Sequence, residues 1–365
     1  MTALDNPTAV GGAPGGARPT RSRSGGGGFG RYLLIRFLLI FPTIFILVTL
    51  VFFLMRLTGD PITAAQGGRL SPDQLAALRE AAGFDRPILV QYLEYLGQVV
   101  RFDFGTTFTT NQPVIEVLTT YGPATFELVF YALIVAFAVG IPLGLRAAYK
   151  RDRPEDAVYR VLAIWWYAVP VFFAGLILKL VFAVWLKWLP VAGRSSVGTE
   201  IQMQTLPTRT GFYTIDALLT GDPAAIGDVL AHAVLPAITL GLLTAGIFLR
   251  LVRTNVIGTL ATDYVDAARS RGVRETRLLR KHAYRPALIP IITVIGLQIA
   301  LLLGGAVLTE TTFEWRGLGF QMAEFLENRD FIAVQGIVAL LAVIVALTNF
   351  VVDILAAFID PRVRY

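Results

Sequence analysis

The chain has 365 residues, 55% of them hydrophobic and only 16% charged, with a mean hydropathy of +0.63 and a net charge of +6. Soluble globular domains carry about 25% charge, so this is the composition of a membrane protein. There is no cysteine, and the two histidines, His232 and His282, stand fifty residues apart, which excludes thiolate chemistry, disulfides, HExxH zinc sites and Cys/His metal clusters.

The four lysines are Lys150, Lys179, Lys187 and Lys281, and none follows a glycine, so a GxxxxGK[ST] phosphate loop is excluded as well. If the protein uses ATP, another chain must hydrolyse it. The basic balance would ordinarily raise nucleic acid as a partner. Its distribution over the loops gives a better explanation, and no nucleic acid is expected.

Residues 1–30 are rich in Gly, Pro, Arg and Ser without an apolar period and read as a disordered tail. About 20 consecutive apolar residues span a bilayer as a helix. Six segments qualify: Phe37–Met55, Thr125–Leu145, Val161–Leu186, Val234–Leu251, Ala287–Leu308 and Val334–Leu355. The first is too long for a signal-peptide core and lacks a small-residue cleavage pattern, so it is expected to be retained as the first span, within 31–56.

Residues 57–123 come next, as a loop long enough to be structured. In "SPDQLAALREAAG" Ser71 is an N-cap, Pro72 the first helical residue, Gln74 completes a capping box and Gly83 is the stop. Leu75, Leu78 and Ala82 give that helix an apolar stripe. "LTGDP" occurs at Leu57–Pro61 and again at Leu219–Pro223, and reads as two independent turns built of turn-forming residues. Residues 124–365 carry the other five spans.

Orientation is set by the Lys/Arg bias of the loops. With the N-terminus inside, the inner segments hold twenty-one Lys and Arg and the longer outer loops ten. Both termini are therefore expected in the cytoplasm.

The most charged stretch, "TDYVDAARSRGVRETRLLRKHAYRP" (Thr262–Pro286), falls on the cytoplasmic side between spans four and five; nine Lys and Arg lie between Arg250 and Arg285. Thr262 or Asp263 is a sound N-cap, and Asp266 sits in the first turn, where a carboxylate favours the helix dipole. Leu260, Val265 and Ala268 offer one apolar face. Gly272 is where a short helix would stop in a left-handed conformation, and a second helix resumes near Glu275. Helices that lie on lipid put bulky apolar residues down. This one offers Val265 and the small pair Ala267 and Ala268, with Asp266 and the arginines at the rim, which suits a protein partner better.

"D-A-A-x-x-x-G", Asp266–Gly272, resembles the EAA signature of permease subunits of ATP-binding-cassette importers, with Asp266 where the family usually has Glu. The family's downstream I-x-L-P is not met, since His282, Ala283, Tyr284 and Arg285 stand there and Pro286 comes one residue late. Further stretches are similar to the dipeptide, oligopeptide and nickel branch: "GFDRPILVQYLEYLGQVVRFDFGTTF" (Gly83–Phe108), "HAVLPAITLGL" (His232–Leu242), "ETTFEWRGLG" (Glu310–Gly319, with Arg316 where Pro is commoner) and the closing "DPRVRY". The similarity runs from about Arg31 to Tyr365.

The resemblance implies an all-α integral membrane protein of six transmembrane helices in the bacterial cytoplasmic membrane. It further implies that Asp263, Val265, Asp266, Ala267, Ala268, Arg269, Arg271, Gly272 and Glu275 form coupling helices that dock an ATPase subunit. A second homologous permease, two ATPase subunits holding ATP and Mg, and an extracytoplasmic binding protein would complete the importer, with no cofactor or metal on this chain and no catalysis by it. The rival from another class is an autonomous secondary transporter or channel. It calls for discontinuous spans in corresponding halves or a deep proton-relay carboxylate.

Within the spans, Gln298 and Asn349 are the deepest polar groups of spans five and six and are candidates for lining the translocation path; interhelical hydrogen bonding is the competing role. Lys179 lies two turns, ~12 Å of helix, before Lys187 and is expected to snorkel toward the outer headgroups. Asp353 is expected to pair with a basic residue of the inner loops. Trp165, Trp166, Trp185 and Trp188 read as interfacial anchors of the third span. His232 reads as a loop or helix-start residue.

Overall fold

A computed structural model describes Gly27–Ile359 apart from Thr58, Pro61, residues 64–69 and Ala82. The arginines of the N-terminal tail, Ala82 of the stripe, the closing "DPRVRY" and the side chains of Arg280, Lys281, His282 and Arg285 lie outside the description. Among the described residues the fold is helical, and β structure is confined to isolated bridges such as the antiparallel one between Thr106 and Pro113.

Five long apolar helices form the body: α1 (Gly27–Leu57), α4 (Val114–Tyr149), α9 (Pro223–Leu260), α12 (Tyr284–Phe313) and α14 (Phe331–Ile359). Most overrun the expected spans by a turn or more. Helix α4 begins at Val114, eleven residues before Thr125, because Pro113 stands at its N-cap position and the polar turns of Glu116, Thr119 and Thr120 continue the helix above the apolar run.

Contacts fix the register. Gly140 of α4 meets Ala245 and Phe248 of α9, and Gly144 meets Leu249 and Val252, so these two helices run parallel. Helix α12 runs against them, since Gly305 touches Leu240 while Ala283, Ala287 and Ile291 join Phe248, Val252 and Val256 in one core cluster. Arg36 reaches Asp353 and Val48 packs with Ile337, so α1 is antiparallel to α14. The bundle thus has two ends, one marked by Leu260 and Tyr284, the other by Phe313 and Phe331.

The α4–α9 crossing is close because it is built on glycine. A Cβ on Gly140 would lie 2.7 Å from the Ala245 carbonyl oxygen, and one on Gly241 would lie 2.6 Å from that of Ala132. Small residues at four-residue spacing let backbones approach in membranes, where dispersion and not hydrophobic exclusion drives helix association. "GIPLG" at Gly140–Gly144 is such a motif.

The expected single span Val161–Leu186 is instead two pieces, α5 (Pro154–Ala168) and α6 (Val171–Leu178), bent by 102°. Pro170 causes the break: it holds no N–H for the helix ladder and drives Val169 out of the helical region, to φ −75°, ψ 126°. Beyond α6 a π-helical turn, Lys179–Trp185, completes the piece. Asp156 contacts Arg253, a Cβ on Gly246 would meet Ala163, Gly175 lies against Thr239, and Ala183 packs with Leu235. The bent pair therefore climbs α9 from Arg253 to Leu235, from the Leu260 end toward the Phe313 end.

Between α1 and α4 the described residues include two short helices. Helix α2 (Pro72–Ala81) starts on the capping box, Ser71 N–H donating to Gln74 Oε1 at 3.1 Å, and stops at Gly83 with φ +71°. The stripe is not buried: α2 has no buried residue, and Leu78 is exposed. Helix α3 (Ile88–Val100) folds back on α1, with Tyr92 and Tyr95 against Phe52 and a Thr49–Tyr92 hydroxyl hydrogen bond of 2.7 Å. Burial there pushes the Tyr95 phenol up to about 12.

Candidate functional site

The charged insertion stands at the Leu260 end. Helix α10 (Asp263–Ser270) is set off from α9 by a turn at Ala261 and Thr262. Thr262 occupies the N-cap position, but its hydroxyl donates to the Thr259 carbonyl at 2.6 Å and does not cap the first turn. Asp263 and Asp266 supply negative charge there. Gly272 adopts φ +80°, the left-handed stop.

A second helix resumes at Glu275, as expected, and is continuous with the fifth long helix. Helix α11 (Glu275–Arg277) runs through a π-helical stretch, Leu278–Ala283, directly into α12. Helix α10 is thus joined at the Gly272 corner to the root of the fifth long helix. The continuity was not legible in the sequence, because the basic run Arg277, Arg280 and Lys281 breaks the apolar pattern without breaking the backbone.

The side chains divide cleanly. Val265 is fully buried and pins α10 to the body, so it holds the helix and offers no surface to a partner. Asp263, Asp266, Ala267, Arg269, Arg271, Gly272 and Glu275 are exposed, and Ala268 is half-buried. Arg269 bridges the corner, its Nε donating to Glu275 Oε1 at 2.7 Å and its Nη1 to Asp266. The two carboxylates hold its guanidinium above the usual range. Tyr264, missed by reasoning that looked for small residues, is 48% exposed on the same helix.

Gln298 and Asn349 are not brought together. Gln298 is 3% exposed, and its Oε1 has no partner among the described residues. Asn349 lies against Gly296 and lines a cavity of about 320 Å³ with Arg36, Thr43 and Asp353, to which Gln298 does not contribute.

Asp353 makes the expected ion pair, with Arg36 at 3.3 Å. Lys179 does not snorkel: its Nζ donates to the Thr312 carbonyl oxygen at 3.0 Å and lies 6.0 Å from the Phe313 ring, neutralising the carbonyl end of α12. His232 is inside α9, its Nδ1 on the Asp228 carbonyl oxygen at 2.8 Å. Among the described residues no three metal-ligating side chains gather. Trp165 and Trp166 line a small apolar cavity at the break, and Trp185 and Trp188 are exposed near the top of the bent pair.

The Phe313 end is polar inside. Glu127 of α4 and Arg194 pair at 2.7 Å with both side chains buried. Glu310 of α12 accepts from Thr125 Oγ1 at 2.6 Å and from Phe320 N–H at 2.8 Å, fixing the start of α13 (Leu318–Glu327). Trp315, wholly buried, donates from Nε1 to the Ala124 carbonyl oxygen at 2.9 Å.

Residues 140–365 match the family described as binding-protein-dependent transport system inner membrane component, and residues 29–129 match the N-terminal region of such membrane components. A di/tripeptide transport system permease protein, DppB, of Pseudomonas aeruginosa is 39% identical over 90% of this chain and 96% of its own length. The dipeptide permease DppB of Escherichia coli K12 is 37% identical over 92% and 99%, and a glutathione permease, GsiC, of Salmonella choleraesuis is 33% identical over 92% and 99%. Among solved structures, a chain of the MetNI methionine ABC transporter is similar at a TM-score of 0.48 with 15% identity, covering 67% of this chain and 97% of its own.

Proposed function

This chain belongs to the family of binding-protein-dependent transport system inner membrane components, and on that basis we propose that it carries di- or oligopeptides across the bacterial cytoplasmic membrane. It is the permease subunit of an ATP-driven importer and not an enzyme; hydrolysis lies on separate subunits. The observation that carries the peptide reading is the 39% identity over 90% of the chain to a di/tripeptide permease.

In this reading the five long helices and the bent pair make six crossings, with both termini and α10 in the cytoplasm. The Lys/Arg bias of the loops supports that orientation. Two ATPase subunits carry ATP and Mg, a second permease of the same family supplies the other half of the path, and a binding protein delivers cargo to the Phe313 end. No cofactor belongs to this chain.

Helix α10 is the docking element. Asp263, Asp266, Ala267, Ala268, Arg269, Arg271, Gly272 and Glu275 meet the ATPase, while Val265 ties the helix to the body. When the ATPases close, force on α10 passes through Gly272 and Glu275 into α12. Gln298 and Asn349 remain the candidates for the path; the unpartnered Gln298 Oε1, buried in this subunit, supports a role that a second subunit or cargo completes.

The test is uptake of a labelled dipeptide by proteoliposomes holding the assembled complex, with ATP trapped beside the ATPases. The expected result is uptake that needs ATP, the binding protein and this chain together. Uptake by this chain without ATPases, driven by an ion gradient, would establish the secondary transporter instead.

A further inference from the structure

The buried ion pair at the Phe313 end does more than hold helices. Arg194 lies in the link between the bent pair and α7 (Val197–Gln204), its side chain 7% exposed. It uses one nitrogen: Nη2 donates to Glu127 Oε2 at 2.7 Å and to the Gly211 carbonyl oxygen at 3.0 Å. Nε and Nη1 find no acceptor among the described residues, and Nε is buried. The guanidinium is clamped 3.6 Å from the Tyr213 ring centroid with the Trp315 ring at 5.5 Å.

Glu127 does not supply the missing acceptors, since its Oε2 meets Nη2 alone. Its Oε1 already receives the N–H of Thr214 at 2.7 Å and the Thr214 hydroxyl. A purely structural arginine this buried should have its donors met, because an unpaired buried polar group is costly.

Arg194 lines a cavity of about 650 Å³, and its neighbours there are chosen in charge. Arg209 and Arg316 are exposed at the rim and form no ion pair among the described residues. Glu200 and Glu314 line the same cavity. Small-molecule sites run about 300–1,000 Å³, so the space suits two or three amino-acid residues. Guanidinium groups recognise carboxylates with a planar fork of donors.

We propose that this cavity is a subsite for the free carboxylate of a zwitterionic peptide, with Arg194 as its buried anchor, Arg209 and Arg316 as its rim, and Glu200 and Glu314 facing the ammonium. The inference rests on the peptide-import reading, which puts this end of the bundle outside, where cargo arrives. It gives the permease its own check on cargo, apart from the binding protein: a peptide without a free carboxylate leaves the Arg194 donors unmet.

The absence of cysteine makes the test direct. Gln204→Cys becomes the only thiol of this chain in the assembled importer in nanodiscs, without binding protein, and modification of this chain by a water-soluble maleimide is timed. Dialanine is expected to slow labelling several-fold and dialanine amide to leave it unchanged. Arg194→Lys, which keeps the charge beside Glu127 and loses the fork, should abolish the protection, as should Arg209→Gln with Arg316→Gln. Thr120→Cys, on another wall of the cavity, repeats the measurement should Gln204→Cys not assemble.

Equal slowing by the two peptides would overturn the proposal, because the carboxylate is then not read. So would slowing by binding protein added to a parallel sample, with slowing by neither peptide, which would make the cavity a docking surface. ATP-driven uptake by the same complex in proteoliposomes, with the binding protein added, separates the two readings: uptake without protection in the nanodiscs sinks the subsite, and protection without ATP-driven uptake sinks the importer.

Discussion

Asp156 and Arg253 form a two-point ion pair, Oδ1 to Nε at 2.6 Å and Oδ2 to Nη2 at 2.7 Å, that ties the foot of the bent pair to α9. Asp156 is fully buried and the Arg253 side chain is 20% exposed. Breaking such a pair from one side costs about 3–5 kcal/mol, mostly from the charge left behind. Asp156→Ala and Arg253→Ala should each lower the denaturation midpoint in mixed micelles, and the double variant should lose less than the sum. Strict additivity in that cycle would mean the two side chains do not act as a unit.

The α4–α9 crossing predicts a sharp contrast among glycines. Gly241→Leu must push against the Ala132 carbonyl oxygen and Val135, an overpacking expected to cost about 1–3 kcal/mol. Gly304→Ala meets no atom within 4 Å and should be neutral or stabilising by up to ~1 kcal/mol through helix propensity. Thermal unfolding of the purified permease compares them, and a similar loss at both positions would rule out close approach as the reason for Gly241.

Arg269 sits on the exposed corner between Asp266 and Glu275. Screened surface pairs contribute little to stability, so Arg269→Ala should leave the unfolding temperature of the permease where it is. Because the corner joins α10 to α12, the same change should weaken stimulation of ATP hydrolysis by the loaded binding protein. Unchanged stimulation would remove the corner from the coupling path.

Replacing Lys179 by Met removes the cation from the Thr312 carbonyl oxygen at the end of α12. Helix-end charges are worth about 0.3–1 kcal/mol, so a small destabilisation is expected, read as a modest drop in midpoint. Lys179→Arg should recover part of it. A rise in stability with Met would show that the site prefers a neutral chain among lipids.

Much of the helical plan can be read along the chain because a run such as Phe37–Met55 reports its own environment. The start of α4 could not be read so: Glu116, Thr119 and Thr120 look like loop until the helices beside them are known. Pro170 announced a disturbance but not a 102° bend, since proline in a membrane helix also fits a mild kink. The α10 corner was legible through Asp266 and Gly272, whose roles are local. Glu127 and Arg194 are sixty-seven residues apart, and no local pattern marks either as the other's partner. The unspent donors of Arg194 exist only once Thr214, Gly211 and Tyr213 have closed around it.

Whether α10 is where an ATPase pushes can be decided at Ala267, exposed and small on that helix. Ala267→Cys, as the only thiol, carries a photo-crosslinker and is irradiated in native membranes. Capture of a P-loop ATPase subunit is expected there, and none when the probe sits at the exposed Ala77 of α2. Lipid adducts from Ala267→Cys, with peptide uptake intact and no ATPase captured, would contradict the docking role of α10.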